Sequence, residues 1–98
     1  MFIKIHRSYR PVVAICDEEL IGKKFEEGKR QLDLRENFYK GEIINEAELI
    51  KTIQLQSKND ATFNIVGEKS IESAKKAGII NDKSVLKVQD IPFSLTLL

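Results

Sequence analysis

Apolar and polar residues change their spacing several times along the 98-residue chain, and each change predicts an element. Phe2 to Arg7 alternates with a period of two, and Val12 to Cys16 is a continuous β-branched run. The intervening Arg7-Ser8-Tyr9-Arg10-Pro11 reads as a turn, so the pattern predicts an N-terminal hairpin whose second strand Pro11 can open at an edge. Asp17-Glu18-Glu19 reads as a helix opening with Asp17 as N-cap and acids where the macrodipole favours them; Gly22 and Gly28 keep this helix short.

Lys29 to Leu34 alternates again, with Gln31 and Asp33 outward and Leu32 and Leu34 inward, which predicts a third strand before a turn from Glu36 to Gly41. Asn45-Glu46-Ala47-Glu48 matches a capping box, and Leu49, Ile50 and Ile53 follow at helical spacing. Ser57 to Asp60 breaks that helix, Ala61 to Val66 reads as a strand, and Gly67 turns into a helix from Glu68 to Ala77 closed by Gly78. Val85 to Val88 and Phe93 to Leu97 read as two last strands separated by Asp90-Ile91-Pro92.

The predicted order is ββαβαβαββ, an α+β fold with a mixed sheet, an N-terminal hairpin and about three helices. Its first strands should be antiparallel, and residues 61 to 88 should form a right-handed parallel crossover.

Length and composition fit one domain over residues 1–98. A chain of this size hides roughly 60–70% of its unfolded surface. The apolar share of 42% and charged share of 32% are those of a globular chain. There is no repeat, linker or low-complexity tract. A net charge of +1 supplies no global field toward nucleic acid or membrane, so any charged partner must meet a local patch. The opening MFIKIHRSYR intersperses charges, and no long apolar stretch follows, so the expectation is a cytoplasmic protein with no signal peptide and no membrane partner. A lone thiol suits a reducing compartment, and abundant Ile, Lys and Glu suit a thermophile or an AT-rich genome.

One cysteine, Cys16, and one histidine, His6, cannot build a zinc site of Cys and His ligands, and no metal or cofactor is predicted. A Cys16–His6 nucleophile pair also fails on geometry. In a hairpin turning near Ser8 or Tyr9 the two lie four or five strand residues apart, roughly 13–16 Å, and catalysis needs about 3 Å. Cys16 reads instead as a small buried apolar residue. Asp17, Glu18, Glu19, Glu26 and Glu27 are a candidate for Mg²⁺ or acid–base work, set against a solvated helix face paired with Lys23 and Lys24.

Two further constellations are candidate binding sites. Where Asn64-Ile65-Val66 meets the helix through Gly67, the residues Asp17, Asn64, Gly67, Glu68 and Lys69 form a candidate polar or anion site. The Walker spacing is absent and Glu68 repels phosphate, so the competing reading is a tight turn that needs Gly67 for its backbone angle. Lys4, His6, Arg7, Tyr9 and Arg10 fall within seven residues, and the first acid in the chain is Asp17. Cations neutralise phosphate and the rings stack bases, which makes this hairpin a candidate RNA-binding site. The period-two rule puts Lys4 and His6 on one face and Arg7 on the other, and an edge strand carries charge merely to deter aggregation. Lys69, Lys75 and Lys76 would extend the basic surface, diluted by Glu68 and by Glu72, which is placed to pair with Lys76.

Val12 to Phe25, Phe38-Tyr39-Lys40-Gly41-Glu42, and Asn64 to Ser70 with Ala74 and Gly78-Ile79-Ile80 together resemble a family of small archaeal proteins of unknown function. The resemblance runs from Met1 to the neighbourhood of Pro92. It implies an α+β fold of similar length and no assigned reaction. It also implies genes near those of translation factors, hence a link to the ribosome or an initiation factor. Relatives carry a histidine, a small residue and an amide after the position of Pro92, where this chain has Phe93, Ser94 and Leu95.

The leading reading is a non-catalytic module that binds ribosomal RNA or a translation protein. A small metal-dependent hydrolase or transferase using Asp17, Glu18 or Glu68 is the alternative. A structural or oligomeric adaptor using the tail from Ile91 to Leu98 is a second alternative. Partner, ligand and oligomeric state are not legible in the sequence.

Overall fold

In the computed structural model, which describes residues 1–96, β1 (Phe2–His6) and β2 (Val12–Cys16) form the expected antiparallel hairpin, with His6 opposite Val12 and Phe2 opposite Cys16. The mixed α+β architecture and its coarse element order hold. A six-stranded sheet runs β5-β1-β2-β6-β8-β7, formed with β5 (Glu42–Ile43), β6 (Thr62–Val66), β7 (Leu86–Val88) and β8 (Ile91–Thr96). A separate two-stranded sheet pairs β3 (Lys24–Glu27) with β4 (Arg30–Asp33).

Both faces of the large sheet carry packed elements, one of them over only part of its area. Ile3, Val13, Ile15, Phe63 and Ile65 pack on one side against α2 (Glu46–Lys58) and α3 (Glu68–Ala77), through Leu49, Ile53, Ile71 and Ala74. On the other side Ala14, Cys16, Val66 and Phe93 pack under Leu20, Leu32, Leu34 and Tyr39, which come from the 3-10 turn Glu18–Leu20, from β4 and the residue after it, and from the one-turn α1 (Glu36–Tyr39). The period-two alternation of each strand divides its residues between these two cores.

The two long helices begin and end as their sequences dictate. The Asn45 side chain accepts the Glu48 N–H at 2.9 Å, which caps α2. Gly78, at φ 84°, closes α3 in a Schellman motif, donating to Lys75 at 3.0 Å while Ile79 donates to Ala74 at 3.4 Å.

Local patterning misplaced several elements. The helix expected from Asp17 is only a 3-10 turn, Glu18–Leu20, and the Asp17 side chain does not cap it. The residues after it form β3, whose outward Lys24, Glu26 and Glu27 disguise a strand with one inward ring, Phe25. The expected turn at Glu36 contains α1, and β5 follows it. Ile91 and Pro92 belong to β8, and the break is a two-residue turn of Gln89 and Asp90 at φ 48° and 65°. β6 and β7 run in the same direction, but β8 lies between them; the parallel neighbours are β2 and β6. Glu72 pairs with Lys75 at 3.6 Å, and Lys76 pairs with Glu46 at 2.9 Å, in place of a Glu72–Lys76 pair. The expected strand end at Leu97 and the apolar tail at Leu98 lie outside the described residues.

Candidate functional site

β2 and β6 run side by side and end together, Cys16 opposite Val66, so the next residues Asp17 and Gly67 meet at one end of the sheet. Asp17 is 2% exposed, yet its carboxylate is fully engaged. Oδ1 accepts the Ser70 N–H at 2.8 Å and the Ser70 hydroxyl at 2.7 Å, and Oδ2 accepts the Lys69 N–H at 3.1 Å. Gly67 has no side chain to cap α3, so an acid from another strand does so and meets the positive end of the helix dipole. Gly67 sits at φ 110°, and a Cβ there would overlap the Asp17 carboxylate.

A shallow cleft of about 140 Å³ opens beside this junction, with Glu19, Glu68 and Lys69 at its rim. Asp17, Gly67, Glu68 and Lys69 therefore come together, with two of the α3 amides held by Asp17. Asn64 does not join them: it lies three residues back along β6, about 10 Å away, aligned with Ala14 and Leu95.

The groups with nucleophilic or acid–base potential are occupied or suppressed. Burial, reinforced by the neighbouring Asp17 charge, pushes the Cys16 thiol up to about 12. Its Sγ donates to the Asp17 carbonyl at 3.3 Å. Burial, with Cys16 adding to it, likewise raises Tyr39 to about 12. The His6 ring stacks on Phe38 with centroids 4.5 Å apart, and its Nε2 lies 2.8 Å from the Phe38 carbonyl. A carbonyl only accepts, so Nε2 donates there. Phe2 and His6 span the ladder between Cys16 and Val12, which holds Cys16 and His6 about 13 Å apart.

The acidic cluster is dispersed. Glu18 holds the N-terminal ammonium at 2.9 Å, Glu26 pairs with Lys24 at 3.5 Å, and Glu27 accepts the Gln89 N–H at 3.3 Å. Among the described residues no three His, Cys, Asp or Glu side chains are grouped to hold a metal ion.

At the opposite end of the sheet lies the β1–β2 loop. Lys4 donates to the Asn37 carbonyl at 2.7 Å and His6 is bound to Phe38, so both of these residues serve to dock α1. Arg7, Ser8, Tyr9 and Arg10 are exposed, and Ser8 donates to the Arg10 carbonyl at 2.5 Å within the turn. Tyr9 projects completely, at 106% relative exposure. Arg7 makes no ion pair among the described residues. Lys69 stands at the far end of β6 from this loop, while Lys75 and Lys76 are held by Asp82 at 2.6 Å and Glu46 at 2.9 Å. The loop's cations and ring are therefore a local patch.

The sequence reading missed the partnership of Asp17 with Ser70 and the docking role of Phe38. A signal for the first is present: the α3 start has glycine where a side-chain cap belongs, so an acceptor must come from elsewhere.

Comparison with known proteins agrees with the fold. A family model described as "Protein of unknown function (DUF424)" matches residues 6–97. The chain is similar to a solved structure titled as that of an uncharacterized conserved protein from Methanopyrus kandleri. The TM-score is 0.85 at 23% identity, covering 97% of this chain and 88% of that one. No curated protein matches. No helix among the described residues is long and apolar enough to cross a membrane.

Proposed function

This chain belongs to the DUF424 family of proteins of unknown function, and from that premise we propose that it is a non-catalytic, cytoplasmic module that binds single-stranded RNA of the translation apparatus. Tyr9 carries the reading. A ring at 106% exposure, flanked by Arg7 and Arg10, gains nothing from the protein's own core, whereas an unpaired base stacks on it and the guanidinium groups meet the adjoining phosphates. Burial of the single thiol and the engagement of His6 favour binding over nucleophilic chemistry.

The test is fluorescence polarisation with labelled single-stranded RNA at several salt concentrations, together with sedimentation of the protein in a native lysate with and without ribonuclease. Salt-sensitive binding to the oligonucleotide and ribonuclease-sensitive co-migration with a ribosomal subunit are expected. Absence of both overturns the reading.

A further inference from the structure

On the face of the large sheet that carries β3–β4 and α1, cover is uneven. The row Cys16, Val66 and Phe93 is buried beneath Leu20, Leu32 and Leu34. One row further toward the Tyr9 loop the cover ends within the row: Ala14 is fully buried, Asn64 opposite it is half-buried and Leu95 is 62% exposed, and beyond them Val12 lies opposite Thr62, both half-buried. Directly paired residues, and residues two apart on a strand, share a face, so Asn64, Leu95, Val12 and Thr62 form one ledge. The Asn64 carboxamide has no hydrogen-bond partner among the described residues, and its atoms remain accessible.

We propose that this ledge is a base-binding platform for single-stranded RNA, in which a base lies on Leu95 while the Asn64 carboxamide beside it reads its edge and Val12 floors the adjoining position; this rests on the RNA reading of the Tyr9 loop. Asn offers one acceptor and two donors, the set that pairs in bidentate fashion with a base edge. The apolar floor is too small and too polar at its centre to be a buried core, and a flat sheet surface accepts splayed bases. Charge favours the same occupant. Arg7 and Arg10 lie exposed at this end of the sheet, while Lys58 and Asp60, which close α2 on the other face, offset each other. A strand leaving the Tyr9 ring would thus cross onto the ledge with phosphates beside cations.

The test is an amide-detected NMR titration of the full chain with short oligonucleotides of each single base, at two protein concentrations, followed by affinity measurements on Asn64→Ala and Leu95→Glu. Shifts at the Asn64 side-chain NH₂ and at Leu95 are expected, with a preference for one base. Asn64→Ala should lose that preference by about 5- to 150-fold, and Leu95→Glu should weaken binding at least about tenfold by setting a carboxylate against phosphate. If the wild type binds and only the Tyr9 loop shifts, the ledge is overturned and the loop reading stands. If no oligonucleotide binds, both fall. If the ledge resonances respond to protein concentration instead of RNA, the face joins two copies of the chain and the proposal is overturned.

Discussion

Asp17 and Ser70, 53 residues apart, are joined twice, since the Asp17 carboxylate accepts both the backbone N–H of Ser70 at 2.8 Å and its hydroxyl at 2.7 Å. This link fixes the start of α3 to the end of β2, across the only parallel strand pair of the described sheet. Removing the acceptor leaves buried donors unmet. Asp17→Ala should cost about 2–4 kcal/mol, combining a lost cap with unsatisfied amides, whereas Asp17→Asn keeps an acceptor and should cost less. Urea unfolding of both variants checks the order.

Gly67→Ala meets two penalties at one position, a positive φ of 110° and overlap with the Asp17 carboxylate. A loss of about 2–5 kcal/mol is expected. In the Asp17→Ala background the clash with the carboxylate is gone and only the contact with the residue 17 Cβ, at 2.7 Å, is left, so the double variant should be less destabilised than the sum of the singles. Strict additivity in the denaturant midpoints would contradict the contact.

Alkali should unfold the protein in a window set by two buried groups. Cys16 is raised from 9.0 to about 12 and Tyr39 from 10.0 to about 12, both chiefly by burial. The folded state thus keeps protons that the unfolded chain has released. Stability falls as pH rises from 9 toward 12, by about 1.4 kcal/mol per unit from Cys16, and more steeply once Tyr39 contributes. Cys16→Ala should flatten the lower part of the curve, as urea midpoints across the window would show. Over the same range thiol reagents should label Cys16 only through opening of the fold.

The Tyr9 loop makes a prediction about affinity alone. Tyr9→Ala should weaken single-stranded RNA binding by about 5- to 150-fold, the worth of one stacked base, without a change in thermal stability. Arg7→Gln should weaken it across all sequences and reduce the salt slope by about one. Unchanged binding in both variants would remove the loop from the interface.

At the β7–β8 turn, Asp90 adopts φ 65°, a conformation that favours glycine. Asp90→Gly should therefore stabilise the protein by about 0.5–1 kcal/mol. Gln89 is best left in place, because its side chain donates to the Glu26 carbonyl at 2.7 Å and holds the β3–β4 arm.

The residue order alone determined the elements whose signals are local. The β1–β2 register, the Asn45 cap, the strand at Thr62–Val66 and the helix from Glu68 to Gly78 follow from alternation, capping chemistry and glycine at defined positions. It also placed Tyr9 and its neighbouring arginines in a turn. Only the tertiary structure decided that Asp17 caps a helix fifty-three residues away, that Lys4 and His6 dock α1, and that β8 inserts between β6 and β7. The difference is physical. Periodicity and caps are satisfied within a few residues, whereas a buried carboxylate or a half-covered sheet face takes its partners from whichever strand the folded chain brings beside it.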